Sequence, residues 1–455
     1  MSHSARASPQ HPHLDAIVAD GRFFAFESVV RFGKSIYCGS LSRSDMQGAA
    51  MDIVAIETAI KRYVDAGEVA GAAMLVRRGG ETQTICVGLR DIEARRPVER
   101  DTIFRIASMS KPIISTLALM LLEDGKFALG DPITRWAPEF SAMRVLGSPE
   151  GPLNETEPAG MPITFEHLLT HRSGLTYSDF HRGPIAAAYR DMLGGDIDNE
   201  LSPNAWIARL AGLPLIDQPG RQFHYGKSTD LLGLLIERIA DAPLADVLKR
   251  RIFVPLGMTD TGFSVAATNE GRRAGLHGFD AQGRLTTLPS VPGGHAHAER
   301  PASMTFVSGG QGLWSTLDDY LAFARMFAEG GAVDDVRLLQ PGTLSMIATN
   351  QLTDHQRSTA RMLGLPLFAR GHGFGLGVAV VMEPDQADPV RCGGGKGAVG
   401  WPGAYGGWWQ ADPNDGSVMI FLAHNMVQLE QLAQGIGLGV WSAISDFQSI
   451  GSRLR

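Results

Sequence analysis

Phe104-Arg105-Ile106-Ala107-Ser108-Met109-Ser110-Lys111-Pro112 decides the reading of this chain. At its centre a serine and a lysine stand three apart, and Ile113 to Leu122 follows as nearly unbroken apolar sequence. That run predicts a helix buried on most sides, and Pro112 fits its first turn, where a missing N–H costs nothing. An i, i+3 pair shares one helix face, so the amine of Lys111 falls beside the hydroxyl of Ser108. A serine is a poor nucleophile until a positioned base takes its proton. A lysine serves as that base only when burial or a neighbouring positive charge lowers its pKa. The N-terminal end of a buried helix also favours developing negative charge, through its free N–H groups and its dipole. Of the seven lysines, only Lys111 has a serine three residues before it. The expectation is a serine acyl-transfer enzyme whose base is a lysine rather than a histidine.

Composition narrows the classes around that expectation. The chain has 455 residues, enough for a large core in two lobes or one domain with insertions, and is 44% hydrophobic and 20% charged. A net charge of -7 without a Lys/Arg run argues against nucleic acid. Cys38, Cys86 and Cys392 are few, odd in number and widely spaced. They read as free thiols in a reducing, cytoplasmic setting, with no disulfide framework or zinc spacing. No stretch reaches the roughly 18 apolar residues of a membrane-spanning helix. Residues 1–50 are polar or aperiodic, lack the order of a secretory signal, and read as a poorly ordered tail or extension.

Regular patterning begins at Met51, with Ile53, Ile56, Ile60 and Val64 on one helical face. Ala70 to Val76 and Thr82 to Val87, parted by Gly79-Gly80, read as a hairpin. Short helices are expected at 164–171, 230–239 and 317–328, and strands at Leu376 to Val381 and Val418 to Leu422. Strands near both chain ends with helices between them predict an α/β plus all-α fold, in which one antiparallel sheet is built from the two ends and carries an inserted helical lobe. The α/β lobe is placed at about 51–125 and 310–455, and the helical lobe at about 126–309.

A lysine-activated serine needs a third group to pass the proton to the leaving group. Tyr225, in Phe223-His224-Tyr225-Gly226-Lys227-Ser228-Thr229-Asp230, lies in a polar turn just before a buried helix and is the best candidate. With these residues in view, the chain resembles the serine β-lactamase-like superfamily, and within it the family VIII carboxylesterases related to class C β-lactamases. The resemblance rests on Phe104 to Pro112, on Leu168-Leu169-Thr170-His171-Arg172-Ser173-Gly174-Leu175, on Tyr225 with Ser228 to Gly233, on Ser308-Gly309-Gly310-Gln311-Gly312, and on Trp401-Pro402-Gly403-Ala404-Tyr405-Gly406, in the family's order over residues 52–445.

The resemblance implies a β-lactamase-like, penicillin-recognising fold with the site between two lobes. It makes Ser108 the acylated nucleophile, Lys111 its base and Tyr225 the proton relay. It also implies an oxyanion hole from the N–H groups of Ser108 and Ala404, and it requires no metal or organic cofactor. Trp401-Pro402-Gly403 stands where penicillin-recognising relatives carry Lys-Thr-Gly, so Trp401 and Gly403 become substrate-binding candidates. Tyr177, Trp314, Phe374, Trp408 and Trp409 are further candidates for an apolar acyl pocket. Lys227 stands where lactam-cleaving relatives carry Asn, either as a charge acting on Lys111 or as a solvated turn residue. The missing clamp and this lysine both favour an esterase over a lactamase. The expected partner is a small-molecule ester, with no nucleic acid or membrane, and the oligomeric state is open. Alternatives on the same acyl-enzyme are an amidase, a D-peptidase, a transacylase or a weak β-lactamase. The non-enzymatic alternative is a silent binding protein on the same scaffold. His295-x-His297-x-Glu299 lacks a third partner for a metal, Gly226-Lys227-Ser228 lacks the glycine spacing of a phosphate loop, and no Gly-x-Ser-x-Gly elbow occurs. His171 reads as structural.

Overall fold

The computed structural model describes residues 53–453 apart from 290–299, 301–302, 363, 369–370, 429–430 and 433. The expected 1–50 tail, Cys38 and the His295-x-His297-x-Glu299 run all lie outside the described residues.

The first periodic segment forms helix α1 (Ile53–Asp65), which buries Ile56 and Ile60. Strands β1 (Gly71–Arg78) and β2 (Glu81–Asp91) follow as a hairpin. Arg78 pairs with Glu81, so the turn is Gly79-Gly80, both with positive φ. That two-residue loop matches strand twist only when both residues adopt φ > 0, which is why two glycines stand there. Strand β3 (Arg96–Pro97) closes one edge of the sheet. The other strands come from the far end of the chain: β4 (His372–Phe374), β5 (Ala379–Val381), β6 (Val399–Gly400), β7 (Trp408–Asp412) and β8 (Ser417–Ala423). The sheet runs β4-β5-β6-β7-β8-β1-β2-β3, with antiparallel pairing throughout. The central join pairs Ala72 with Ala423 through to Arg77 with Val418. The sheet built from both chain ends is therefore observed.

Strand alternation sends successive side chains to opposite faces, and both faces are covered. Met74, Trp408, Met419 and Phe421 pack with α1 and the terminal helix Gly439–Gly451, whereas Leu75, Trp409, Ile420 and Leu422 join the main core. Helix α2 (Ser110–Glu123) runs through that core, buried from Ser110 to Leu121. The strand expected from Leu376 begins only at Ala379. Gly377 turns there with φ +98°, and a Cβ on it would lie 2.1 Å from Ser115 Oγ of α2, so the chain bends against the helix before it can pair.

The insertion supplies helix α3 (Phe165–Leu169), α4 (Pro184–Leu193), α5 (Pro203–Ala211) and α6 (Ser228–Ala240). It is not wholly helical, because Arg144–Leu146 pairs with Thr156–Pro158 as a small ribbon. His277–Phe279 and Leu285–Thr287 form a second ribbon, bridged through His277 to Asn425 just after β8. That ribbon ties a late part of the insertion to the sheet. Helix α7 (Leu317–Ala328) returns the chain to the main core at the predicted bounds.

Candidate active site

Phe104–Arg105 pairs with Trp314–Ser315, and this short ribbon delivers the chain to the N-terminus of α2. Ala107, the residue before Ser108, has φ +45°. A non-glycine residue there carries local strain that persists only where its surroundings hold it. Those surroundings are visible. Ile106 N–H donates to Leu313 O (2.9 Å), Leu313 N–H donates to Ser110 Oγ (3.2 Å), and Tyr320 O–H donates to Met109 O (3.0 Å). Ser108 is thus fixed at the mouth of α2, 7% exposed, with Lys111 one turn below it at 0%.

Lys111 Nζ lies 3.3 Å from Ser108 Oγ, so the i, i+3 geometry read from the sequence is present. The same amine donates to Gly310 O at 2.8 Å and to Tyr177 Oη at 3.2 Å. It also sits 4.7 Å above the centre of the Tyr225 ring. The Tyr225 hydroxyl is turned elsewhere and accepts a hydrogen bond from Trp401 Nε1 at 2.9 Å. Two tyrosines therefore face the amine, one through its hydroxyl and one through its ring. They meet because the Tyr225-Gly226 turn presses on the loop before Tyr177, where a Cβ on Gly226 would lie 2.4 Å from Thr176 Cα.

Tyr177 O–H donates to Asp230 Oδ2 at 3.1 Å. Asp230, in the first turn of α6, is fully buried, and its Oδ1 accepts from Ser308 O–H and from Gly310 N–H (3.1 Å). Burial first, and then the charge of Asp230, pushes the Tyr177 phenol well above its usual pKa, so Tyr177 stays protonated. Gly310 must be glycine. A Cβ would sit 2.8 Å from Asp230 Oδ2 and 2.9 Å from Tyr177 Oη. We expect Gly310→Ala to lower acylation of Ser108 at least about tenfold and to lower Tm, read by stopped-flow ester cleavage and thermal unfolding.

Trp401-Pro402-Gly403 directly follows β6 and packs on the nucleophile turn. A Cβ on Gly403 would lie 2.5 Å from Ile106 O, so only glycine admits this approach. The turn is closed by Gly403 N–H to Gly407 O (2.7 Å) and Gly406 N–H to Gly403 O (3.1 Å), bonds that do not use the Ala404 N–H. Ala404 is exposed at the tip. Beside Tyr225, a small cavity of about 40 Å³ is lined by Thr176, Phe180, His181, His224, Arg361 and Met362 among others.

Several readings change on this geometry. Lys227 is 1% exposed and pairs with Asp196 at 2.5 Å, so it is not a solvated turn residue, and its Nζ lies 5.1 Å over the Tyr177 ring. Trp314 is engaged by the Arg105 guanidinium at 4.6 Å and by His424, not by the residues around Lys111. Trp408 and Trp409 are fully buried on opposite faces of the sheet, which removes both from any acyl pocket. Phe374 does reach the site, 5.3 Å from the Trp401 ring. His171 is buried against Tyr225, its ring nitrogens without a hydrogen-bond partner among the described residues. Burial, with the Lys111 charge as a smaller cause, holds its pKa well below the usual value, and so keeps it neutral. Asp230 and Gly310 stand in the quoted motifs without an assigned role, and Asp196 lies in none of them. The signal for Asp230 was a carboxylate in the first turn of an otherwise apolar helix, five residues after Tyr225. No group of metal-ligating side chains occurs among the described residues, nor a helix long and apolar enough to cross a membrane.

Comparison with known proteins gives the family. The Beta-lactamase family model matches residues 56–435. The chain belongs to the Beta-lactamase family. Within that family it is 43% identical over 380 residues to Protein Rv1367c of Mycobacterium tuberculosis, covering 83% of this chain and 92% of that protein. It is 33% identical over 373 residues to Esterase EstB of Burkholderia gladioli, covering 78% of this chain and 86% of the esterase. Among solved structures it superposes on EstCE1, described as a hydrolase with promiscuous acyltransferase activity, with a TM-score of 0.69 at 25% identity, over 86% of this chain and 98% of that one. Family and fold place it among β-lactamase-fold hydrolases and acyltransferases.

Proposed function

We propose that this Beta-lactamase family member cleaves carboxylic esters through an acyl-enzyme on Ser108. Lys111 takes the Ser108 proton as Oγ attacks the ester carbonyl, and the oxyanion is held by the N–H groups of Ser108 and Ala404. Collapse breaks the bond to the alcohol oxygen, which receives a proton from Tyr225. Water then attacks the acyl group, the proton relay runs in reverse, and the acid leaves. Trp401 donates to the Tyr225 oxygen, which leaves the phenol proton free for the leaving group and supports the negative charge that remains when it goes. Trp401 and Gly403 form the wall that carries Ala404, and Tyr177 faces the amine from the other side.

The observation that carries this reading is the Lys111 amine 3.3 Å from Ser108 Oγ, with Gly310 O and Tyr177 taking its other hydrogen bonds. The 33% identity to an esterase supports the choice of ester. Lys396, the only lysine near the Trp401 segment in sequence, is exposed in a loop and offers no clamp for a lactam carboxylate. The test is labelling with a fluorophosphonate and peptide mapping, alongside cleavage of p-nitrophenyl butyrate and of a chromogenic cephalosporin. The label on Ser108 with faster ester than lactam cleavage is expected; a label elsewhere contradicts the proposal.

Acyl transfer to an alcohol is a second reading, favoured by the acyltransferase activity ascribed to EstCE1. Added alcohol would then divert acyl groups to a new ester without changing the rate at which nitrophenol is released, if acylation is limiting. For either acceptor, Trp401→Phe should slow turnover about tenfold, the worth of about one hydrogen bond to Tyr225, with KM little changed in a steady-state assay.

A further inference from the structure

We propose that Asp230 is a positioning residue that sets the direction of every hydrogen bond around Lys111; this rests on the acyl-enzyme reading above. Asp230 receives three donors: Ser308 O–H and Gly310 N–H on Oδ1, and Tyr177 O–H on Oδ2. A carboxylate only accepts. The Tyr177 proton is therefore held on the Asp230 side, and the lone pairs of its oxygen face Lys111 Nζ at 3.2 Å. The other partner of Lys111, Gly310 O, is a carbonyl and also only accepts. A neutral amine has two N–H bonds and one lone pair. With both N–H bonds given to Tyr177 and Gly310, the lone pair is left for Ser108 O–H.

A reversed Tyr177 would donate its proton into that lone pair. Lys111 would then meet Ser108 only as a donor and could not take its proton. Asp230 prevents the reversal without touching substrate or the reacting atoms. It also holds Gly310 through the N–H of the residue whose carbonyl receives the amine, so one carboxylate fixes both acceptors. The two tyrosines consequently differ in role. Tyr177 has its proton locked away from the amine, whereas Tyr225 accepts from Trp401 and keeps its proton free.

Asp230→Asn tests this at constant size. Its amide oxygen stays with the two donors at Oδ1, and its NH₂ faces Tyr177, which must then turn its proton towards Lys111. With p-nitrophenyl butyrate and the full chain, acylation of Ser108 is expected to fall about 10²-fold, with KM within about twofold and a cooperative melt retained. In a Tyr177→Phe background the same change should cost less than about threefold, because the hydroxyl it orients is gone. Asp230→Asn that acylates at the wild-type rate overturns the proposal, as does a full additional loss in the Tyr177→Phe background. Should Asp230→Asn fail to fold, Tyr177→Phe decides. A loss of about tenfold or more at unchanged Tm supports the proposal, and wild-type acylation overturns it. Wild-type protein that gains no adduct at Ser108 overturns the acyl-enzyme reading and Asp230 with it, whereas normal acylation of both wild type and Asp230→Asn overturns Asp230 alone.

Discussion

Exchange of Lys111 for methionine is expected to slow acylation of Ser108 by about 10³-fold while the protein remains folded. Among the described residues the amine, 3.3 Å from Ser108 Oγ, is the group hydrogen-bonded to it that can take its proton, and His171, the histidine of the adjoining core, has both nitrogens out of any hydrogen bond to the serine. Methionine fills nearly the same volume and keeps the contact with the rings of Tyr225 and Tyr177. What it removes is the pair of hydrogen bonds to Gly310 O and Tyr177, and each buried acceptor left unpaired costs about 1–3 kcal/mol. Replacing a buried polar head by an apolar one offsets part of that, so Tm should shift by only a few degrees. Burst kinetics with a p-nitrophenyl ester and a thermal melt separate the two effects. A loss of rate accompanied by loss of the cooperative melt would make Lys111 a structural residue instead.

Ser108→Ala is expected to remove turnover by about 10⁴-fold or more, because no covalent route remains and only binding and oxyanion contacts are left. Ser108 is 7% exposed and its strained turn is fixed from behind by Tyr320, Leu313 and Ser110. Removing one hydroxyl leaves that frame untouched, so stability should be unchanged and substrate binding should persist. Equilibrium binding of a non-hydrolysable phosphonate ester to Ser108→Ala, alongside residual hydrolysis, checks both halves of this expectation.

The sheet built from the two chain ends was legible because apolar alternation and the Gly79-Gly80 turn are local signals. The α2 helix was legible because its run from Ile113 to Leu122 is apolar at nearly every position. Lys111 beside Ser108 followed from helix geometry alone. The hydroxyl that meets Lys111 did not, because it depends on how the loop carrying Tyr177 stacks on the Tyr225-Gly226 turn. That is a contact between segments about 50 residues apart, which no periodicity encodes. Separation along the chain likewise hid Asp196, 31 residues from its partner Lys227, and Asp230, whose three donors come from two other parts of the chain, Tyr177 and the Ser308-Gly309-Gly310 loop. Trp314, Trp408 and Trp409 were offered as pocket walls on residue type, but strand alternation places Trp408 and Trp409 in the two cores and the guanidinium of Arg105 engages Trp314. The ribbons at Arg144–Leu146 and His277–Phe279 are three residues long per strand, too short to leave a pattern.

The most direct measurement is intact-protein mass within seconds of mixing the chain with p-nitrophenyl butyrate, for wild type and Ser108→Ala, with released nitrophenol followed in the same samples. The account predicts a butyryl adduct on wild type that maps to Ser108, a matching burst of nitrophenol, and neither signal in Ser108→Ala. Turnover that survives in Ser108→Ala, or an adduct that maps to another residue, would contradict it.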